Sequence, residues 1–202
     1  MDTSINKGDA VSKIKLFAEA FDDSEETARE FFECDDIITV TEYVGNRLAA
    51  MASLVPIYAQ NGMSCSLERM SSIVRNICGY YIYGVCVDKS CRGMGLFPLI
   101  MRKAEDVAIE KNADFVCLIP ADTQLKMTYR RWGYVVEIQN SDTLECHGKR
   151  IFLSSESFRK FALPTDMTGE PKKMCGLLKV LNKRIFDPKD LEFAFGDFMG
   201  DI

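Results

Sequence analysis

The 202-residue sequence lacks several features that mark particular classes of protein. It has no long apolar run of the kind that spans a membrane or forms a secretory signal, so we expect neither. The net charge is −5, so acidic residues outnumber basic ones, which argues against a nucleic-acid partner. No internal repeat, low-complexity run or clear linker divides the chain. These absences favour a single domain over residues 1–202.

Signatures of metal sites and of disulfide frameworks are also missing. The eight cysteines form no Cys-x-x-Cys pair, and most lie in apolar runs, where cysteine acts as a small buried hydrophobic residue. The single histidine, His147, follows Cys146 in a polar stretch, and we regard this pair as incidental. We therefore predict no metal site, no disulfides and a cytoplasmic location.

Apolar spacing in the first part of the chain predicts two helices and a hairpin. Apolar residues recur at helical spacing over residues 11–21. Ser24 then provides an N-cap for a second short helix. Two strand-like runs, residues 37–44 and 47–57, are separated only by a Gly-Asn pair. A two-residue connection of this composition is typical of a tight antiparallel hairpin.

The rest of the chain predicts a strand–helix–strand unit followed by further strands. The predicted elements, in order, are a loop with at most one helix over 59–79, a strand over 80–87, a helix over 96–108, a buried strand over 113–121, a helix over 124–132, and strands over 134–139 and 173–181. A crossover helix makes the two strands that it joins parallel, whereas a hairpin is antiparallel. We therefore predict an α/β fold with a central twisted mixed sheet flanked by helices.

A glycine turn between a predicted strand and the helix after it is the clearest candidate for a ligand site. Gly93 and Gly95 permit a sharp turn and a close approach of the backbone to a ligand. The free N–H groups of a helix N-terminus attract anions, and Arg92 adds a positive charge. Leu96 follows Gly95 where a phosphate-binding P-loop has Lys, and Pro98 replaces the third glycine of the dinucleotide fingerprint. The turn therefore indicates either a site for a phosphate or pyrophosphate of an unidentified ligand, or a turn that only joins the strand to the helix.

The sequence around this turn, VCVDKSCRGMGLF, resembles the signature of the GCN5-related N-acetyltransferase superfamily. That signature is Arg/Gln-x-x-Gly-x-Gly/Ala between a strand and an amphipathic helix, and Arg92 and Gly95 match it. Phe97 stands where the family has Gly or Ala. A second family element is a buried strand followed by a helix that ends in Tyr-x-x-x-Gly-Phe. It is matched from Tyr129 to Tyr134, where Tyr replaces the final Phe.

The resemblance covers residues 11–138 and implies an enzyme that transfers an acetyl group from acetyl-CoA to a primary amine. It implies that Tyr129 is the general acid that protonates the departing coenzyme A thiolate. A tyrosine that only packs beside Trp132 is the alternative for this residue. The implied cofactor contacts are the backbone of Val85, Cys86 and Val87 for the pantetheine arm, the turn residues Arg92, Gly93, Met94, Gly95, Leu96 and Phe97 for the pyrophosphate, and Asp122.

The acceptor site and the general base are less well defined than the cofactor site. Tyr81 and Tyr83 share one face of a predicted strand, where they either line an acceptor pocket or cover the sheet surface. Glu68 is a candidate base by region only, and Asp88 lies too close to the turn for that role. We expect residues 149–202 to flank the acceptor side or to form a homodimer contact.

Several alternatives stay open at this stage. The acceptor is a small-molecule or peptide amine of unknown identity, and the thioester is expected in a gap where the sheet separates between residues 80–87 and 113–121. One rival function is a non-catalytic acyl-CoA-binding or interaction module on the same fold. Another is a nucleotide-binding α/β protein that prefers ATP or NAD. Cys91, expected in an exposed turn, is regarded as incidental.

Overall fold

The computed structural model describes residues 10–61, 78–140, 150–154, 175–182 and 193–195. Its helices are α1 (Ala10–Phe21), α2 (Glu25–Phe32), α3 (Leu96–Glu110) and α4 (Thr123–Arg131). Its strands are β1 (Ile38–Val44), β2 (Arg47–Asn61), β3 (Cys78–Val87), β4 (Phe115–Leu118), β5 (Val136–Asn140), β6 (Arg150–Ser154), β7 (Cys175–Val180) and β8 (Phe193–Phe195). No helix within these ranges is long and apolar enough to cross a membrane.

The described strands form one mixed sheet, which confirms the predicted fold class. The strand order is β1-β2-β3-β4-β7-β5-β8-β6, and β6 also pairs with β2. The hairpin of β1 and β2 is antiparallel, and β3 and β4, joined through α3, are parallel. Strand β7 lies between β4 and β5 and is antiparallel to both.

The helices and most of the strands confirm the predictions from apolar spacing. Helix α2 begins after Ser24, whose hydroxyl oxygen accepts a hydrogen bond of 3.0 Å from the Thr27 N–H, as expected for an N-cap. The predicted loop over 59–79 is wrong at both ends, because β2 continues to Asn61 and β3 begins at Cys78. The remainder of that loop lies outside the described residues, as do Glu68 and His147.

Two apolar layers enclose the sheet and determine which face each helix covers. Helices α1 and α2 pack on one face, where Phe17 and Phe31 are buried with their ring centroids 5.2 Å apart. Helix α3 packs on the other face, where Ile100 and Ala104 are fully buried. The amphipathic spacing of both α1 and α3 accounts for this arrangement, because each helix turns its apolar stripe toward the sheet.

A β-bulge at Gly84 changes the course of β3. Tyr83 pairs with Ser53, but Cys86 pairs with Met51, so one extra residue is accommodated on the β3 side. Gly84 has a φ of +62°, and a Cβ atom there would lie 2.9 Å from the Phe17 ring. Only glycine meets both conditions without strain.

The parallel pairing of β3 with β4 ends before β3 itself ends. Its last pair is Tyr81 with Cys117, and β3 continues beyond this point to Val87. Strand β4 ends one residue after this pair, at Leu118, so the last part of β3 has no parallel partner in β4, and the predicted gap between the two strands stays a prediction.

Candidate active site

A cleft with a volume of about 820 Å³ lies where β3 ends and α3 begins. Its walls come from the end of α1, the end of β3, the glycine turn, the first turn of α3 and helix α4. Ligand sites in α/β sheets commonly lie beyond the carboxyl ends of parallel strands. The cleft has that position, because the N-terminus of the crossover helix α3 borders it.

The glycine turn leaves the N-terminus of α3 open to a ligand. Gly93 and Gly95 have φ angles of +81° and +75°, and a Cβ atom at either position would meet no atom within 4 Å. Gly95 is the N-cap of α3 and supplies no side-chain hydrogen bond. The first backbone N–H groups of α3 are therefore suited to bind an anion, and the helix dipole favours negative charge there.

Asp88 organises the chain segment that leads into the turn. Its Oδ1 accepts hydrogen bonds from the Ser90 N–H at 2.8 Å and the Ser90 hydroxyl at 2.7 Å, and its Oδ2 pairs with the Arg47 guanidinium. The hydrogen bonds from Ser90, together with Arg47, lower the pKa of Asp88 despite its partial burial. These contacts give Asp88 a structural role. The sequence analysis had placed it too close to the turn to act as the general base.

Two neighbours on the turn differ in exposure. Cys91 is buried, with 6% of its surface exposed, so the prediction of an exposed Cys91 is wrong. The short helical turn at Lys89–Cys91 directs its side chain into the apolar layer under α3. Arg92 is exposed, lines the cleft and donates a hydrogen bond from Nε to the Val87 carbonyl at 3.4 Å. This bond holds the guanidinium against the end of β3.

Tyr129, on α4, is buried within a group of aromatic rings. Its side chain is 5% exposed, and its ring centroid lies 6.0 Å from those of Phe97 and Trp132 and 5.7 Å from that of Tyr134. Burial, with a smaller contribution from the Asp122 carboxylate, raises the pKa of Tyr129 to about 12. The phenol is therefore protonated at neutral pH, as a proton donor must be.

Asp122 has a structural role that does not depend on a cofactor. It is the N-cap of α4, and its Oδ1 accepts a hydrogen bond of 2.7 Å from the Leu125 N–H. Replacing an N-cap of this kind by alanine typically costs about 1 kcal/mol. Asp122 also lines the cleft, so its contact with a cofactor stays a prediction beside this established role.

The structure brings most of the predicted cofactor residues to the same cleft. Those that line it are Val85, Cys86, Val87, Arg92, Gly93, Gly95, Leu96, Phe97 and Asp122. Met94 lies in the same turn with its side chain 57% exposed. Tyr129 contacts the cleft wall through Phe97. The roles of all these residues stay predictions, although their proximity is a property of the fold.

The sequence analysis missed residues that reach the cleft from the two flanking helices. Phe21, at the end of α1, is 39% exposed and lines the cleft together with Ala20. Gln124 and Thr128 line it from α4. The apolar spacing of α1 predicted that Phe21 would face the core. The one signal of partial exposure was its position as the last residue of the helix.

Tyr81 and Tyr83 share one face of β3, as predicted, with their ring centroids 5.7 Å apart. The Tyr83 ring packs against Phe17 and Phe31 at 6.0 Å and 5.1 Å. Burial, with smaller contributions from Tyr83, Cys117 and Tyr129, raises the pKa of Tyr81 well above its ordinary value. Both rings therefore belong to the layer under α1 and α2, and a pocket for the acceptor beside them stays a prediction.

The sequence profile of the Acetyltransferase (GNAT) family matches residues 9–134. Among solved structures, this chain is similar to Escherichia coli YhbS, a GNAT family N-acetyltransferase in complex with CoA, with 13% identity and a TM-score of 0.56 over 93% of this chain and 82% of that one. It is also similar to Escherichia coli ElaA, with 14% identity and a TM-score of 0.49 over 87% of this chain and 93% of that one.

A third similar structure is a GCN5-related N-acetyltransferase from Kribbella flavida, with 20% identity and a TM-score of 0.45 over 65% of this chain. This chain spans only 31% of the length of that protein. No curated protein sequence matches this chain.

The mixed sheet, whose parallel strands β3 and β4 are joined through α3, has the fold of the GNAT acyltransferases. Because the family profile extends over more than half of the sequence, the chain belongs to the Acetyltransferase (GNAT) family.

Proposed function

We propose that this protein binds acetyl-CoA in the cleft and transfers the acetyl group to a primary amine of a small molecule or a peptide. The observation that carries the proposal is an uncapped helix N-terminus that borders the cleft, with a protonated phenol packed directly behind the cleft wall. The open N-terminus of α3 suits a pyrophosphate, and Phe97 in the cleft wall contacts Tyr129. Family membership supports the class of reaction.

Acetyl-CoA, when bound, would supply an acetyl group activated as a thioester. The transfer forms one carbon–nitrogen bond and breaks one carbon–sulfur bond, so the leaving sulfur needs a proton and the amine must lose one. Tyr129 holds a proton at neutral pH and would donate it to the leaving sulfur. The backbone of Val85, Cys86 and Val87, and the N–H groups at Arg92 to Phe97, would position the cofactor. Water accepts the amine proton in this proposal.

A thermal-unfolding experiment with acetyl-CoA, coenzyme A, ATP and NAD in parallel tests the cofactor. At about a hundred times its dissociation constant, a ligand that binds only the folded state adds about 2.7 kcal/mol to the free energy of unfolding. We expect the melting temperature to rise with acetyl-CoA and coenzyme A. A rise with ATP or NAD alone would contradict the proposal, and so would no rise with any of the four.

A non-catalytic acyl-CoA-binding module is the second candidate function. Two bulky aromatic residues, Phe21 and Phe97, line the cleft and narrow the space beside the turn. Turnover with a panel of amines separates the two candidates, with spermidine, a lysine peptide, a peptide with a free N-terminus and an aminoglycoside as probes. Because the chain contains eight cysteines, the loss of thioester absorbance is a better assay than a thiol reagent. Binding without transfer to any probe would favour the module.

Replacing Arg92 by Gln is expected to weaken coenzyme A binding about tenfold, because a charge-assisted contact with phosphate is lost. Titration calorimetry measures the dissociation constant directly. Arg102→Gln is the matched control, because Arg102 is an exposed arginine of α3 that donates from Nε to the Pro98 carbonyl and is not among the cleft-lining residues. Equal affinities in the two variants would remove Arg92 from the cofactor site.

A further inference from the structure

The ring of Phe97 joins two parts of the candidate site that lie on different helices. Phe97 is the second residue of α3, in the turn of helix whose N–H groups face the cleft, and it lines that cleft. Its ring centroid lies 6.0 Å from that of Tyr129 and 5.5 Å from that of Trp132, both of which follow β4 in the chain. One side chain thus connects the candidate anion site with the candidate proton donor.

The other rings around Tyr129 belong to its own chain segment. The N–H groups of Trp132 and Tyr134 both donate to the Tyr129 carbonyl, at 3.0 Å and 3.1 Å. These two residues therefore move with the end of α4. The Tyr134 hydroxyl also donates to Glu105 at 2.9 Å, which links this end to the middle of α3 but not to the N-terminus that borders the cleft. Among the rings in contact with Tyr129, Phe97 is the one that comes from α3.

No described residue forms a hydrogen bond with the Tyr129 hydroxyl. Within the described part of the chain, the orientation of this phenol therefore depends on how its ring packs. An aromatic contact of this kind is worth about 0.5–1.5 kcal/mol beyond the area that it buries, enough to favour one orientation over another. Removing the Phe97 ring would open space on the cleft side of Tyr129.

We propose that Phe97 is a positioning residue that holds the Tyr129 hydroxyl at a set distance from the N-terminus of α3. This inference rests on the proposed function, because the distance matters only if the cofactor lies between the two. A cofactor bound by its pyrophosphate at α3 must present its sulfur to Tyr129. An error of about 1 Å between a catalytic group and the reacting atom can lower the rate by up to about 100-fold.

The test is a double-mutant cycle between Phe97→Ala and Tyr129→Phe, with kcat and the dissociation constant of coenzyme A measured separately. We expect Phe97→Ala to lower kcat about tenfold and to change coenzyme A binding less than twofold. In the Tyr129→Phe background, Phe97→Ala should lower kcat no further, because the hydroxyl that it positions is already gone. Phe97→Leu should recover most of the lost kcat.

Leu99→Ala is the matched control for loss of apolar volume. Leu99 lies on the same helix, is partly buried in the layer under α3 and is not among the residues that line the cleft. We expect this variant to lose stability without loss of kcat. If Phe97→Ala does not fold, Phe97→Leu and Phe97→Met replace it in the cycle.

The possible results separate this inference from the proposed function. Independent, additive losses in the cycle would overturn the positioning role and leave an acetyltransferase in which Phe97 acts on its own. A coenzyme A affinity that falls as much as kcat would also overturn it. If the wild-type protein neither binds coenzyme A nor acetylates any amine of the panel, the proposed function fails, and the inference fails with it.

Discussion

Replacing Tyr129 by Phe is expected to lower kcat about 100-fold and to change the dissociation constant of acetyl-CoA less than twofold. A general acid typically contributes about 10²–10⁴-fold to the rate, and the phenol is needed only as charge develops on the leaving sulfur. The ring stays in place in this variant, so its packing against Phe97 and Trp132 is preserved. Initial rates of thioester loss with an acceptor from the panel give kcat.

Tyr134→Phe is the matched control for removing a phenol from the same aromatic group. The Tyr134 hydroxyl donates to Glu105 Oε1 at 2.9 Å, while Lys179 Nζ contacts Glu105 Oε2 at 2.6 Å, so the carboxylate keeps one partner in the variant. We expect a small loss of stability and an unchanged kcat. If both variants lower kcat equally, the effect belongs to packing and Tyr129 is not the acid.

The raised pKa of Tyr129 also makes a prediction for the pH profile. Burial, with the nearby Asp122 carboxylate, raises this pKa to about 12, so the phenol keeps its proton throughout the neutral range. Deprotonation of Tyr129 should therefore cause no fall in kcat between about pH 6 and pH 9. The profiles of the wild type and of Tyr129→Phe should run parallel there, and a descending limb present only in the wild type would contradict the assignment.

Replacing Gly84 by Ala is expected to lower the free energy of unfolding by about 3 kcal/mol. The left-handed φ of +62° costs an alanine about 1–2 kcal/mol, and the added Cβ would lie 2.9 Å from the buried Phe17 ring, which adds the cost of overpacking. Because the bulge lies between the last residue paired with β4 and the cleft, its loss should also disturb the end of β3. Denaturant unfolding measures the first effect.

The variant Gly45→Ala separates the cost of the left-handed backbone conformation from the cost of overpacking. Gly45, in the turn between β1 and β2, has a nearly identical φ of +61°, but a Cβ atom there would meet nothing within 4 Å. We expect this variant to lose about 1 kcal/mol, from the backbone conformation alone. Equal losses in the two variants would mean that the Phe17 ring yields without cost and that the bulge tolerates a side chain.

Local patterns predicted much of the scaffold of the site. The Gly-Asn pair predicted the hairpin, Ser24 predicted the start of α2, and the glycine turn predicted the start of α3, because each depends on residues close in sequence. The ends of long strands were harder to predict. Strand β2 continues to Asn61 through polar residues because β6 pairs with its last part, a partner that lies far along the chain.

The chain after Tyr134 was the least predictable part of the fold. Residues 173–181, the last strand in the sequence prediction, do include β7, but a further strand, β8, follows it. Strand β7 lies between β4 and β5 in the sheet. Apolar spacing reveals that a segment forms a strand but gives no information about its neighbours in the sheet. That choice depends on which edges remain unpaired once the other strands have packed.

The sequence by itself determined the family motifs, the order of helices and strands up to Tyr134, and the turn that leaves the N-terminus of α3 open, because all of these follow from residues close together in the chain. Only the tertiary structure decided that Phe97 contacts Tyr129, that Cys91 is buried and that Arg47 pairs with Asp88. These contacts join parts of the chain that local patterns do not relate, and their geometry depends on how the helices and strands pack together in the finished fold. Packing of that kind depends on the whole core and cannot be inferred from any single segment.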